Sequence, residues 1–343
     1  PVGGGAAVSI QTMAKAAPSD LDRIVAQLTA ARRAGCDIAR VAVPDMAAAG
    51  SIGELKARCG LPIVADVHFD YRLAVAAAEA GADGLRVNPG NLGGERKLEA
   101  VVEAAAEAGI PIRVGVNAGS MPKEGGERLE ATAENMVASA LAMAQRIERL
   151  GHDAIKVSLK AFDLQTMVAA CRRFAERSDI PLHLGLTEAG LPLSGAVRSA
   201  AALSLLLADG IGDTLRISLC APPEVEVRVA RTLLAALGLR PAAAVVACPT
   251  CGRTRAEIAQ VAGRVEQRLA ASGLELVVAV MGCEVNGPGE ARAAELGIAY
   301  GSGGQGLVFE RGQVVDKLPN EELEAALAAR IEARAEEVER SHD

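Results

Sequence analysis

Ile112-Arg113-Val114-Gly115-Val116-Asn117 is an apolar strand with a cation set inside it and an amide at its end. Ala39-Arg40-Val41, Leu85-Arg86-Val87, Ile155-Lys156-Val157 and Leu215-Arg216-Ile217 repeat the apolar-cation-apolar signature. These belong to predicted strands over Ile38 to Pro44, Gly84 to Pro89, Ile112 to Asn117, Ala154 to Leu159 and Leu215 to Leu219. Val8 to Met13, Ile63 to Phe69 and Leu182 to Leu186 bring the strands to eight. Between them, Leu21 to Ala34, Leu73 to Ala80, Leu98 to Ala108, Ala133 to Leu150 and Gly195 to Leu207 carry apolar residues at helical spacing, commonly with a glycine beyond the last turn. Eight strand-helix units in about 240 residues predict a closed parallel (β/α)8 TIM barrel, whose usual size is ~250 residues. A doubly wound open sheet is the alternative. The chain has 343 residues, half of them apolar, so a second domain follows. The expected division is a barrel over 1–240 and a smaller α+β domain over 241–343, with Gly238 to Ala244 as the linker.

Strand side chains alternate faces, so residues two apart share a side. Asn88, Ser158 and Ser218 therefore lie beside Arg86, Lys156 and Arg216, and Asp66 with His68 repeats the arrangement. A single strand cation is best read as half of a salt bridge. Five of them change that reading, because inward cations without anionic partners cost several kcal/mol each and the strands offer too few carboxylates. Arg40, Arg86, Arg113, Lys156 and Arg216 are accordingly expected to face a polyanionic small ligand, most simply one with two phosphates, at the C-terminal mouth. Asn117 reads either as a turn former or as a ligand contact, and His183 either as a satisfied core imidazole or as a contact. Glu188, in Leu186-Thr187-Glu188-Ala189-Gly190, is the candidate for moving a proton.

Two cysteine loops mark the second domain: Cys248-Pro249-Thr250-Cys251 and Gly282-Cys283-Glu284-Val285-Asn286-Gly287-Pro288-Gly289-Glu290. Three clustered thiols without a fourth suggest an iron-sulfur cluster with one unusual or open iron, since structural zinc prefers four closed ligands. A C-x-x-C alone also fits a redox pair, half a zinc site or a disulfide. Each loop follows a β-branched run, Val245-Val246-Ala247 or Val277-Val278-Ala279-Val280, so both can leave adjacent strand ends and meet. Cys36, Cys59 and Cys171 read as core, and Cys220 as a rim residue of the last barrel strand. Gly301-Ser302-Gly303-Gly304-Gln305-Gly306 satisfies a dinucleotide fingerprint but precedes the strand-like Leu307-Val308-Phe309, and is read as a loop. Glu321 to Arg340 reads as an amphipathic helix packed on the small domain.

Aromatics at 2% without tryptophan, and a net charge of -7, argue against nucleic-acid binding. No apolar run is long enough to span a bilayer, and Pro1-Val2-Gly3-Gly4-Gly5 lacks signal-peptide features. The start without Met suggests a trimmed N-terminus. Seven cysteines without a regular framework predict a reducing, cytoplasmic setting.

Together these stretches resemble the 4-hydroxy-3-methylbut-2-enyl diphosphate synthase family, iron-sulfur enzymes of the non-mevalonate isoprenoid route. The resemblance covers nearly the whole chain. It is carried by Val64-Ala65-Asp66-Val67-His68-Phe69-Asp70, Leu85-Arg86-Val87-Asn88-Pro89-Gly90-Asn91, Gly115-Val116-Asn117-Ala118-Gly119-Ser120, the Leu186 to Gly190 run, Gly212-Asp213-Thr214-Leu215-Arg216, the Cys248 loop and Asn286-Gly287-Pro288-Gly289-Glu290. It implies reductive ring opening and dehydroxylation of 2-C-methyl-D-erythritol 2,4-cyclodiphosphate, with a 4Fe-4S cluster held by Cys248, Cys251, Cys283 and Glu290 and with flavodoxin or ferredoxin as electron donor. Asn286 joins the substrate contacts on the same ground. Cys220-Ala221-Pro222-Pro223 and Phe162 depart from the family pattern at the mouth loops. Other readings are a phosphate- or pterin-binding barrel transferase with a structural zinc module, and an electron carrier fused to a scaffold barrel. The helix expected at about Glu224 to Leu237 returns the chain to the bottom of the barrel before the linker. A head-to-tail homodimer, each cluster domain covering the partner's barrel, follows as the expected assembly.

Overall fold

The computed structural model describes all residues except 69, 89–93, 125–126, 284–288, 290 and 343, and all side chains of the rest except those of 123, 124, 339, 341 and 342. Asn286 and Glu290 thus lie outside the described residues. The chain divides into two compact units, Pro1–Arg240 and Pro241–Asp343.

In the first unit the strands are β1 Ser9–Met13, β2 Ile38–Ala42, β3 Ile63–Asp66, β4 Gly84–Val87, β5 Ile112–Asn117, β6 Lys123–Glu124, β7 Glu127–Arg128, β8 Ile155–Lys160, β9 His183–Leu184 and β10 Thr214–Leu215. Eight of them form one parallel sheet in the order β8-β5-β4-β3-β2-β1-β10-β9, and a bridge from Val157 to Leu182 joins its two ends. This is the predicted TIM barrel. β6 and β7 form a separate antiparallel pair that the apolar pattern did not announce, since it is charged throughout.

Helices between the strands start where the sequence supplies a cap. Asp20, Asp45, Thr132 and Asp163 each accept a hydrogen bond from a backbone N–H in the following first turn. Their apolar faces pack on the strands. Leu164–Ala175, for example, buries Met167, Val168, Ala170, Cys171 and Phe174, and each large side chain so buried contributes about 1.5–3 kcal/mol.

The seventh and eighth barrel strands are shorter than the apolar runs predicted. A Cβ on Gly185 would stand 2.5 Å from the Arg216 carbonyl oxygen, so backbone passes there more closely than a regular ladder allows. Pairing resumes beyond, at the bridge of Gly190 with Leu219.

The second unit contains β11 Ala244–Ala247, β12 Val277–Met281, β13 Leu296–Ala299, β14 Gln305–Glu310 and β15 Gln313–Pro319. β11, β12 and β13 run parallel, and β14 and β15 continue the sheet antiparallel. Helices Ile258–Ser272 and Leu323–His342 bury Val261, Val265, Leu269, Leu327 and Ile331 against Val278, Val280 and Ile298. The glycine-rich stretch leads into β14 and not into a helix, as its following residues required. The terminal helix starts at Leu323, after a single turn over Asn320–Glu322.

Candidate active site

The C-terminal ends of the barrel strands surround a cavity of about 520 Å³. Arg40, Arg86, Arg113, Asn117, Ser158, Glu188, Arg216 and Ser218 line it, together with Asp66 and His68. Lys160 also lines it and was not anticipated. Cys220 sits exposed on the rim.

Two glycines make this space. Gly115 and Gly185 stand where a Cβ would lie 2.7 Å from Arg86 Nε and 2.9 Å from Lys160 Nζ, so the missing side chains leave room for the cations.

Strand tilt decides which cation reaches the mouth. Along the ladder Asp66 pairs with Arg86, Arg86 with Arg113, and Arg113 with Lys156. Because barrel strands tilt and stagger, this line runs downward. Asp66 lines the mouth, while Lys156 lines a different cavity beside Ile38, Gly84, Pro62 and Pro111, at the strands' N-terminal ends. The expectation that the five strand cations are equivalent is therefore corrected. Lys160, four residues further along β8, occupies the place expected of Lys156.

Asp66 accepts from Arg86 at 3.3 Å and lies 3.3 Å from His68 Nε2 and 3.8 Å from Arg40 Nε. Burial pushes its carboxyl up, but Arg40, the His68 hydrogen bond and Arg86 outweigh this and hold it well below the usual carboxylate range. Burial pushes Arg40 down to about 10, with Arg216 and Arg86 adding repulsion. Lys160 is pushed well down by burial and by Arg113.

Arg113 is the most buried of the cations lining the cavity. It is 3% accessible, and none of its three guanidinium nitrogens has a hydrogen-bond partner among the described residues. A buried cation without partners costs several kcal/mol, and an anion in the cavity removes that cost.

Asn88 and His183 stand apart from the cavity lining. Asn88 is buried and donates to Ser120 Oγ at 3.0 Å, tying β4 to the turn after β5. His183 is fully buried, with Nδ1 2.7 Å from Thr214 Oγ1, and burial followed by Arg113 and Lys160 keeps it neutral. It is a core imidazole, but not the satisfied one expected, since its buried Nε2 has no hydrogen-bond partner among the described residues. Glu188 is exposed at the mouth with φ 52, a left-handed conformation rare outside glycine.

Glu226 was invisible to strand-pattern reading because it lies on the helix Pro223–Ala236. It is 1% accessible and accepts from Thr12 Oγ1 at 2.7 Å, Leu219 N at 3.0 Å and Arg216 Nε at 3.3 Å, with Lys15 Nζ at 2.8 Å. It fixes the Arg216 fork below the mouth. Replacing Glu226 by Ala should lower unfolding stability by roughly 3–5 kcal/mol, because it strands buried partners. Urea unfolding followed by circular dichroism measures this, and an unchanged midpoint would refute the role.

In the second unit the parallel neighbours β11 and β12 end in Cys248 and in Gly282-Cys283. Cys248 N donates to Val280 O at 3.0 Å, and Arg255 N to Gly282 O at 3.1 Å, so the two loops are joined. Thr250 has φ 68, a strained setting for a β-branched residue, and Cys251 N donates to Thr254 Oγ1. Among the described residues no three metal-ligating side chains converge. The fit to a cluster lies in the soft donor set and its strand-end placement. No helix among the described residues is long and apolar enough to cross a membrane.

The GcpE TIM-barrel domain model matches residues 1–231, and the GcpE protein C-terminal domain model matches 244–333. The chain is 52% identical over 334 residues to the 4-hydroxy-3-methylbut-2-en-1-yl diphosphate synthase (flavodoxin) of Geobacter sulfurreducens, covering 97% of this chain and 94% of that protein. Its identity to the Anoxybacillus flavithermus protein of the same name is 48% over 338 residues, covering 98% and 93%. Among solved structures, 3-dehydroquinate dehydratase from Geobacillus kaustophilus superposes with a TM-score of 0.50 at 17% identity, over 69% of this chain and 93% of that one, a likeness of barrel fold alone. With both domain models matched in order and the relatives aligned along nearly its whole length, the chain belongs to the GcpE family of 4-hydroxy-3-methylbut-2-en-1-yl diphosphate synthases (flavodoxin).

Proposed function

We infer that the protein is the flavodoxin-dependent oxidoreductase of isoprenoid biosynthesis that converts 2-C-methyl-D-erythritol 2,4-cyclodiphosphate to 4-hydroxy-3-methylbut-2-enyl diphosphate. The observation that carries the site assignment is the unpartnered Arg113 guanidinium in a cavity lined by four further cations. Arg40, Arg86, Arg113, Lys160 and Arg216 hold the two phosphates. Asn117, Ser158 and Ser218 supply uncharged hydrogen bonds, and Asp66 keeps Arg40, Arg86 and His68 oriented toward the mouth.

The reaction takes up two electrons and two protons. A ring carbon–oxygen bond to phosphate breaks, and one hydroxyl leaves as water. Cations that bind both phosphates stabilise the charge left on the released phosphate oxygen. Glu188 is assigned as the proton donor, being the carboxyl at the open edge of the cavity.

Cys248, Cys251 and Cys283 are assigned to a 4Fe-4S cluster, with Glu290 as the fourth ligand and Asn286 beside the substrate. When bound, such a cluster supplies one-electron transfers. A cytoplasmic location keeps these thiols reduced. Anaerobically reconstituted protein given reduced flavodoxin should convert the cyclodiphosphate to the linear diphosphate. A protein with full iron and sulfide that forms no product contradicts the assignment.

The assembly proposed is a head-to-tail homodimer. Arg240, the last residue of the barrel unit, pairs with Asp37 and donates to Val8 O, both at the N-terminal ends of strands. The chain therefore leaves the barrel opposite the mouth, and a partner's second unit is the natural cover. Mixing Arg113→Met with Cys283→Ser under subunit exchange makes half the dimers mixed, each with one intact composite site. Activity should return to about a quarter of wild type. Exchange that restores nothing would mean that each site is built within one chain.

A further inference from the structure

The second barrel cavity, of about 110 Å³, is at the opposite end from the mouth. Its lining includes Lys156, Arg113 and Gln11, which are 8%, 3% and 2% accessible. We propose that these three side chains form a second binding site, for a single protonated inorganic oxyanion of the phosphate class. This site shares Arg113 with the mouth but is defined by Lys156 and Gln11, which the mouth does not contain.

The donors and acceptors specify that chemistry. All three guanidinium nitrogens of Arg113 and Oε1 of Gln11 are buried without hydrogen-bond partners among the described residues. Two cations call for negative charge, and an amide oxygen calls for a donor. Hydrogen phosphate offers both, through its charged oxygens and its P–OH, whereas a halide cannot donate. The carboxylates nearby offset the charge only in part, since Asp213 attracts Lys156 and Asp66 attracts Arg113, yet both cations remain pushed down. Asp83 lines the cavity, but its oxygens accept from Ile63 N at 2.9 Å and Lys56 Nζ at 2.7 Å. Asp213 attracts Lys156, yet its Oδ2 accepts from Leu182 N at 2.8 Å. Burial pushes the Lys156 ammonium down to about 8, and Arg113 adds repulsion. An anion seated between them relieves both effects. Three or four waters would fill the same space at roughly 30 Å³ each, but they would add no negative charge to the two cations.

Arg113 is the residue common to the linings of both cavities. An oxyanion at the floor therefore draws on hydrogen bonds that a mouth ligand also uses, and by linkage each ligand weakens the other.

Calorimetric titration of the intact protein with inorganic phosphate at low ionic strength tests the proposal. Wild type should show two classes of site. Lys156→Met should weaken one class by about tenfold or more and keep the other. Gln11→Leu should weaken the same class without removing a charge, which covers the case in which Lys156→Met fails to fold. Arg40→Met, at the mouth, should weaken the other class and not this one. Phosphate binding by Lys156→Met or Gln11→Leu indistinguishable from wild type would overturn the proposal. Failure of the cyclodiphosphate to bind at all, with the floor class intact, would instead count against the mouth reading alone.

Discussion

Cys283→Ser is expected to lose most of its bound iron and sulfide and more than about a hundredfold in turnover. Changes to groups that merely support a metal ligand already cost 10- to 100-fold, and this change removes a ligand. The serine oxygen is a harder donor than thiolate and suits iron-sulfur chemistry poorly. Because Cys283 follows β12 directly, beside the Cys248 loop on β11, the substitution leaves the strand pairing untouched. Iron and sulfide analysis after anaerobic reconstitution reads the effect. Cys220→Ser is the control, since that thiol is exposed on the barrel rim and should leave the iron content unchanged. Full retention of iron in Cys283→Ser would remove the cysteine assignment.

Arg113→Met should lower kcat/KM by about three orders of magnitude. Two charge-assisted hydrogen bonds to phosphate, at roughly 2 kcal/mol each, account for that loss. The same substitution should not destabilise the protein, because it removes a buried cation that no described residue pairs. Lower activity with equal or higher stability separates a binding residue from a structural one. Lys156→Met should leave kcat/KM within a few-fold of wild type, since its side chain faces the floor. Equal losses in the two variants would mean that the ladder from Asp66 to Lys156 had been placed at the wrong height.

That contrast also shows how far the sequence could be read. Alternating apolar and charged residues identified β2, β4, β5 and β8 and the inward direction of their cations, because face alternation is a property of one strand. Height in the barrel is a property of neighbouring strands. Lys156, Ser158 and Lys160 share one face of β8, and only the pairing with β5 shows that Lys160 belongs at the mouth. Gly115 and Gly185 were given no role from the sequence, yet they hold open the space that Arg86 and Lys160 fill. Glu226 could not be found from strand patterns at all, since it reaches the site from a helix more than two hundred residues along the chain from its partner Thr12. In the second unit, β-branched runs before each cysteine loop correctly indicated adjacent strands, because short buried parallel strands leave that signature. The family resemblance was carried by these same loops and strand ends, and the matched domain models cover both units.

Calorimetric titration of cluster-free protein with the cyclodiphosphate tests whether the cation-lined mouth is the substrate site. It isolates binding from electron delivery. One molecule should bind per barrel, more weakly as salt is raised and about a hundredfold or more weakly in Arg113→Met. Absence of binding by folded wild-type protein, or binding that Arg113→Met leaves unchanged, would contradict that assignment.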